Sequence, residues 1–220
     1  MEVWFIRHTQ SQANAGEVTV DPALTALTAR GREQAEHIPA AFERPPDLVI
    51  TSPYLRAQQA AAPFVSRFPD IPRETWPVQE FTYLAYERCR GTTVTERLPM
   101  AREYWDRNDP HYVDGEWAES FGGLLERVAD MWRKLREQHA DKWVVIFSHA
   151  QYIRAAMWHE LFDGPKVNER GMRCYRSYAA GFPIPNGAII KCRDNGGFWF
   201  SQVLRGHIPA HLRTDGEATL

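Results

Sequence analysis

Between Trp143 and Phe147 the chain reads Trp-Val-Val-Ile-Phe, an unbroken run of aromatic and β-branched residues. It lacks the alternation of a half-exposed strand and is far too short to span a membrane. It reads as a strand covered on both faces, the kind found in parallel sheets flanked by helices. Val3-Trp4-Phe5-Ile6 is a second such run, and Asp47-Leu48-Val49-Ile50-Thr51 contains a third. Parallel strands need long crossovers, and the intervening residues supply helices. Thr28 caps one in which Ala35, Ile38 and Phe42 share a face, with Pro39 bending or shortening it and Pro45-Pro46 ending it. Ser52 as cap and Pro53 at the first position open another, through Ala60, Ala61, Phe64 and Val65. Ala118-Glu119-Ser120 opens the clearest one, with Phe121, Leu124, Leu125, Val128, Trp132 and Leu135 on one stripe. The class is therefore α/β.

The remaining segments are less regular. Thr75 to Gln79 reads as a short strand, placed at a sheet edge by Pro77, with Glu80 at its end. From Tyr83 to Trp117 an insertion rich in aromatics and arginines carries a short helix over Leu98 to Trp105. Insertions of this kind after a catalytic edge serve as lids or substrate-selecting flaps. Ile153 to Leu161 is helical. Ala188 to Cys192 and Phe198 to Val203 form a β-hairpin through Asn195-Gly196-Gly197. Past Gly206 a loose tail is expected.

Composition bounds the function. With 220 residues, 44% hydrophobic and 25% charged, the chain builds a core without staples. A net charge of −2 excludes nucleic-acid or acidic-membrane binding by bulk charge, so any anion site is a local cluster of Arg and His. Cys89, Cys174 and Cys192 are odd in number and form no C-x-x-C pair, which argues for a reducing compartment. Neither a signal peptide nor a membrane span is read from the sequence, so a cytoplasmic location is expected. The histidines at 37, 111, 139, 159, 207 and 211 show no ligand spacing, and no Gly-rich nucleotide loop occurs. No metal and no cofactor are expected.

Arg7-His8, Arg56, Glu80 and His149 each lie just past a predicted strand. In a parallel sheet with right-handed crossovers these loops share one edge, where α/β proteins bind ligands. Arg56 falls in a first helical turn, where the dipole disfavours a cation unless an anion is held there too. Arginine matches a phosphoryl group bidentately, imidazole accepts phosphoryl covalently, and a carboxyl protonates a leaving alcohol. A proton-donating carboxyl must hold its proton, which burial or a neighbouring anion favours.

Arg7-His8-Thr9, Ser52-Pro53-Tyr54-Leu55-Arg56 and Ser148-His149-Ala150, each after a strand and in this order, resemble the histidine phosphatase superfamily, also called the phosphoglycerate mutase-like fold. The resemblance runs from about Val3 to Val203. It implies a three-layer α/β/α sandwich with a mostly parallel central sheet. It implies a single histidine phosphatase domain over 1–220, with the lid-like insertion around 83–117. It implies a phosphohistidine on His8 and a phosphate pocket of Arg7, Arg56 and His149. Asn14 matches a position that often joins the pocket, and Glu119-Ser120 resembles a pair that precedes the long helix. Thr9 and Ala150 stand where glycine is usual, and the usual Gly-x-x-Glu-Gly is absent near the acid. Glu80 is assigned as the acid because it follows the short strand, with Glu87 as second choice. Either ring nitrogen of His8 is open as the attacking atom. The expected activity is a metal-independent phosphomonoester hydrolase of histidine acid phosphatase type acting on a small-molecule substrate. A phosphoglycerate mutase-type transferase and a non-catalytic phospholigand-binding module are the alternatives, and the oligomeric state is not legible.

Overall fold

A computed structural model of the chain describes residues 1–164, 166–194 and 197–214. The strands are β1 (Glu2–Arg7), β2 (Leu48–Thr51), β3 (Arg73–Thr75), β4 (Trp143–Ser148), β5 (Ile189–Asp194) and β6 (Phe198–Phe200). The helices are α1 (Ala29–His37), α2 (Leu55–Arg67), α3 (Tyr86–Cys89), α4 (Val94–Arg107), α5 (Phe121–Gln138), α6 (Ala150–Leu161) and α7 (Glu169–Gly181). One six-stranded sheet runs in the order β3-β2-β4-β1-β5-β6. The pairs β3·β2, β2·β4 and β4·β1 are parallel, and β1·β5 and β5·β6 are antiparallel.

Alternation along each strand sorts side chains between two cores. Val3 and Phe5 of β1, Leu48 and Ile50 of β2, and Val144 and Ile146 of β4 face α5, α6 and α7, against Leu124, Val128, Trp132, Ile153 and Met172. Trp4, Ile6, Val49, Val145 and Phe147 face the opposite way, against Ala35 of α1 and Ala60, Ala61 and Phe64 of α2. Helices thus cover both faces of a mostly parallel sheet, the three-layer arrangement expected.

Several boundaries differ from expectation for identifiable reasons. Helix α1 stops at His37, and Ile38–Ala41 continue as a 3-10 turn with Pro39 inside it. Helix α2 begins two residues later than Ser52-Pro53 suggested, with Tyr54 at the cap position. Strand β3 covers Arg73–Thr75 rather than Thr75 to Gln79, because pairing with β2 ends at Thr75. Helix α4 is longer than the expected Leu98 to Trp105. Thr93 and Glu96 close a capping box at its start, and Pro99 sits within it. Helix α7, with Met172, Tyr175 and Ala179 buried, was not read from the sequence at all. The β5–β6 hairpin forms as expected, with β6 shorter than Phe198 to Val203, but Asn195 and Gly196 of its turn lie outside the described residues. Residues 207–214, expected to be loose, include a 3-10 turn at Ala210–Leu212 with Ile208 and Leu212 buried.

The loop leaving β1 is pinned by a close helix approach. A Cβ on Gly31 of α1 would stand 2.0 Å from the carbonyl oxygen of Gln10. Gly31→Ala gains up to about 1 kcal/mol in helix propensity but forces backbone apart, an overpacking cost of roughly 1–3 kcal/mol. The expected net result is a lower midpoint in thermal unfolding of the variant than of the parent chain.

Candidate active site

The sheet register assembles the site before any side chain is considered. Arg7 of β1 pairs with Ser148 of β4, and Thr51 of β2 pairs with Phe147. The next peptide bonds continue the ladder, His8 N–H donating to Ser148 O and Ser52 N–H to Phe147 O, both at 3.0 Å. His8, Ser52 and His149 therefore leave three adjacent carboxyl ends side by side. The His8 and His149 rings are 5.1 Å apart between centroids. Arg56 Nε donates to His8 Nε2 at 3.2 Å, and its Nη1 to Pro22 O at 2.6 Å. Arg7 Nη1 donates to Ile184 O. All four side chains are buried.

The hydrogen bonds decide where the His8 ring carries its proton. His8 Nδ1 lies 2.7 Å from Thr9 O, and a carbonyl only accepts, so Nδ1 holds the proton and Nε2 presents its lone pair. That lone pair points at the Arg56 guanidinium. His149 Nε2 lies 2.8 Å from Ser52 Oγ, whose hydroxyl already accepts from Tyr54 N–H at 3.2 Å. That hydroxyl keeps both a second lone pair and its own proton, so it bonds His149 Nε2 in either tautomer of the ring, whose other nitrogen is Nδ1. That Nδ1 is buried with no hydrogen-bond partner among the described residues. Burial first, then the charges of Arg56 and Arg7, hold the His8 imidazole well below its usual range, against the opposing effect of the Thr9 hydrogen bond. Burial, followed by Arg56 and His8, does the same to His149.

Glu80 reaches this cup from a segment without helix or strand. Its Oε1 accepts from Phe81 N–H and Gln151 N–H at 3.0 Å and from Tyr152 N–H at 3.3 Å. It thereby supplies the cap that His149, at the N-cap of α6, does not provide. Tyr54 stacks edge-on to His149 at 5.4 Å, with the Arg56 guanidinium 5.0 Å from its ring.

A pocket opens above these groups. His8, Asn14, Arg56, Glu80 and Gln151 line its floor side. Its far wall comes from the segment expected as an insertion, through Tyr83, Leu84, Cys89, Val94, Arg97 and Ala101. Thr19 and Thr92 pair as an isolated antiparallel bridge, joining the loop after β1 to the turn between α3 and α4. Asn14 is tied in by its Oδ1, which accepts from Asn186 Nδ2 at 2.9 Å, and Asn186 also donates to His8 O. Glu87 is exposed on α3 and does not line the pocket, whereas Glu80 does. Glu119 is bonded through both carboxylate oxygens to Arg127. Ser52, Gln151 and Asn186 were not singled out as site residues. Ser52 carried a visible signal, its place in the second motif, but it was read as a helix cap. Cys89, Cys174 and Cys192 are all free thiols. Among the described residues no helix is long and apolar enough to cross a membrane, and no cluster of three or more His, Cys, Asp or Glu is disposed to hold a metal.

Comparison with known proteins follows the same lines. The profile of the histidine phosphatase superfamily (branch 1) matches residues 3–177. The adenosylcobalamin/alpha-ribazole phosphatase of Escherichia coli (strain K12) is 26% identical over 176 residues, covering 74% of this chain and 86% of that protein. Among solved structures, the alpha-ribazole phosphatase of Shigella flexneri superimposes with a TM-score of 0.71 at 24% identity, over 94% of this chain and 98% of that one. A phosphoserine phosphatase mutant of Entamoeba histolytica in complex with phosphoserine gives a TM-score of 0.71 at 18% identity, with the same coverage of 94% and 98%.

The two neutral imidazoles carry a stability signature. Unfolded imidazoles titrate near about 6.5, so below that pH the unfolded chain binds more protons than the native one, and stability falls as pH falls. Each contributes a slope of up to about 1.4 kcal/mol per pH unit. Urea unfolding is expected to give a smaller unfolding free energy at pH 5.5 than at pH 7.5, with a shallower dependence in the His8→Asn/His149→Asn double variant. Equal slopes in the two proteins would mean that the two rings titrate in the native state as they do in the unfolded chain.

Proposed function

The chain belongs to the histidine phosphatase superfamily, and from that premise we propose that it is a phosphomonoester hydrolase working through a phosphohistidine on His8. The observation that carries the reading is the grip of the Thr9 carbonyl on His8 Nδ1, which leaves Nε2 as a lone pair facing a guanidinium. A nucleophile toward phosphorus needs that lone pair. A binding site alone does not.

In this reading the phosphoryl group enters between His8 and Arg56, replacing their mutual hydrogen bond. Arg56 and Arg7 hold its oxygens, and His149, whose Nδ1 is buried with no partner among the described residues, carries a proton there and donates it in a hydrogen bond to a third. His8 Nε2 attacks in line. The N–P bond forms as the bond from phosphorus to the alcohol oxygen breaks, and the Glu80 carboxyl gives its proton to that oxygen. Water then attacks the phosphohistidine, Glu80 takes its proton, the N–P bond breaks and inorganic phosphate leaves. The far wall from Tyr83 to Ala101 meets the alcohol portion, so segment 83–117 is the substrate-selecting part of the domain. The substrate is a small phosphomonoester, and the fate of the phosphoryl group, released or returned to a second hydroxyl, separates hydrolase from mutase.

Incubation with a labelled phosphomonoester followed by rapid quench is expected to trap an acid-labile, hydroxylamine-sensitive phosphate on the parent chain and none on His8→Ala. A label of that kind surviving in His8→Ala would overturn the reading. Glu80→Gln is expected to lower steady-state phosphate release by on the order of 10²–10⁴-fold, the usual contribution of a positioned proton donor.

A further inference from the structure

Glu80 has to present its carboxyl at a defined height above the phosphoryl cup, yet residues 76–85 form neither helix nor strand. Something other than backbone ladder bonds must fix this segment. Three consecutive carbonyls just before Glu80 are taken. Arg127 Nη1, from the middle of α5, donates to Pro77 O at 2.7 Å and to Gln79 O at 3.1 Å. Between them, Val78 O accepts from Ser148 Oγ at 2.6 Å. Arg127 is itself held. Its Nε and Nη2 each donate to one oxygen of Glu119 at 2.7 Å, a bidentate pair, and its guanidinium lies 4.8 Å from the Tyr152 ring. Glu119 N–H donates to Thr82 O at 2.8 Å, so the same pair also grips the chain on the far side of Glu80. The guanidinium and its acid therefore bracket residues 77–82.

We propose that Arg127, clamped by Glu119, is a positioning residue that sets the reach of the Glu80 carboxyl into the pocket and so governs proton delivery to the leaving oxygen. The inference rests on the hydrolase reading above and adds to it a dependence that the phosphoryl-holding groups do not have. Only a planar fork fits the role. Four N–H bonds leave Arg127 in fixed directions, two to the carboxylate and two to carbonyls, and a lysine ammonium cannot span both sets. Arg127 does not line the pocket. Its effect runs through the backbone, and a small displacement of a proton donor is costly in rate.

The test uses leaving groups of different basicity. An alkyl phosphomonoester needs its leaving oxygen protonated, whereas p-nitrophenyl phosphate expels a stable phenolate that needs it far less. For Arg127→Met the loss in kcat/KM is expected to be steeper for the alkyl ester by about tenfold or more, within the range a general acid supplies. Arg127→Lys, which keeps the charge but not the fork, is expected to recover only part of that difference. Equal losses on both esters, or none, would overturn the positioning role while leaving the hydrolase reading intact. A parent chain that cleaves neither ester would overturn the hydrolase reading instead. If Arg127→Met does not fold, as judged by thermal melting, the same ratio measured in Glu119→Gln decides, since that variant keeps the guanidinium and weakens its clamp. An unchanged ratio there would overturn the proposal.

Discussion

The parallel pairing of β1 with β4, in the register that opposes Arg7 and Ser148, is the constraint on which everything else rests. Side chains alternate along a strand, so a slip of one residue would exchange the two faces of β1 and send Phe5 into the layer now occupied by Trp4. The two hydrophobic cores forbid that, because each is built from every second residue of the same strands. The geometry of the imidazole pair is thus enforced by the apolar packing of both sheet faces. The placement of the two rings is inherited from core packing, and their bonds to Thr9 O and Ser52 Oγ then orient each ring.

The charges in the cup are arranged so that the site stays attractive to an anion. Arg56 and Arg7 give hydrogen bonds to the carbonyls of Pro22 and Ile184, which are neutral acceptors. Both imidazoles are kept neutral by burial and by those same guanidiniums, so they add hydrogen-bonding capacity without adding repulsion. The carboxyl of Glu80 enters from the side, at the positive end of α6, where its own backbone bonds settle the otherwise uncapped first turn. One helix end thereby orients both His149, at its cap position, and the acid opposite it.

Much of this was legible in the residues. The apolar runs at Val3–Ile6 and Trp143–Phe147 announce strands buried on both faces, and the polar residues that follow them announce a shared edge. Arg7, His8, Arg56 and His149 meet as expected, and Glu80 joins them although its strand ends five residues earlier. What failed did so for physical reasons. Ser52 reads as a helix cap because a hydroxyl before Pro53 usually is one, but its hydroxyl is committed to His149. Pro77 and Val78 resemble an edge strand, yet their carbonyls are bonded to α5 and β4 side chains instead of to a neighbouring strand. Helix α7 shows Met172, Tyr175 and Ala179 at helical spacing, but the arginines between them dilute the stripe. The contacts of Arg127 and Asn186 join positions far apart in the chain, and local pattern carries no trace of them.

The division of labour in the pocket has a historical consequence. His8, Arg56 and His149 ride on strand ends or on helix starts next to them, while the far wall belongs to α3, α4 and their flanks, which contribute no strand to the sheet. That wall is joined to the rest by the bridge at Thr19 and Thr92 and by Leu84 and Cys89, which also belong to the core beneath it. In the proposed hydrolase, descendants of such a chain exchange one leaving alcohol for another by drift in the wall residues outside that core, with the groups at the strand ends left in place.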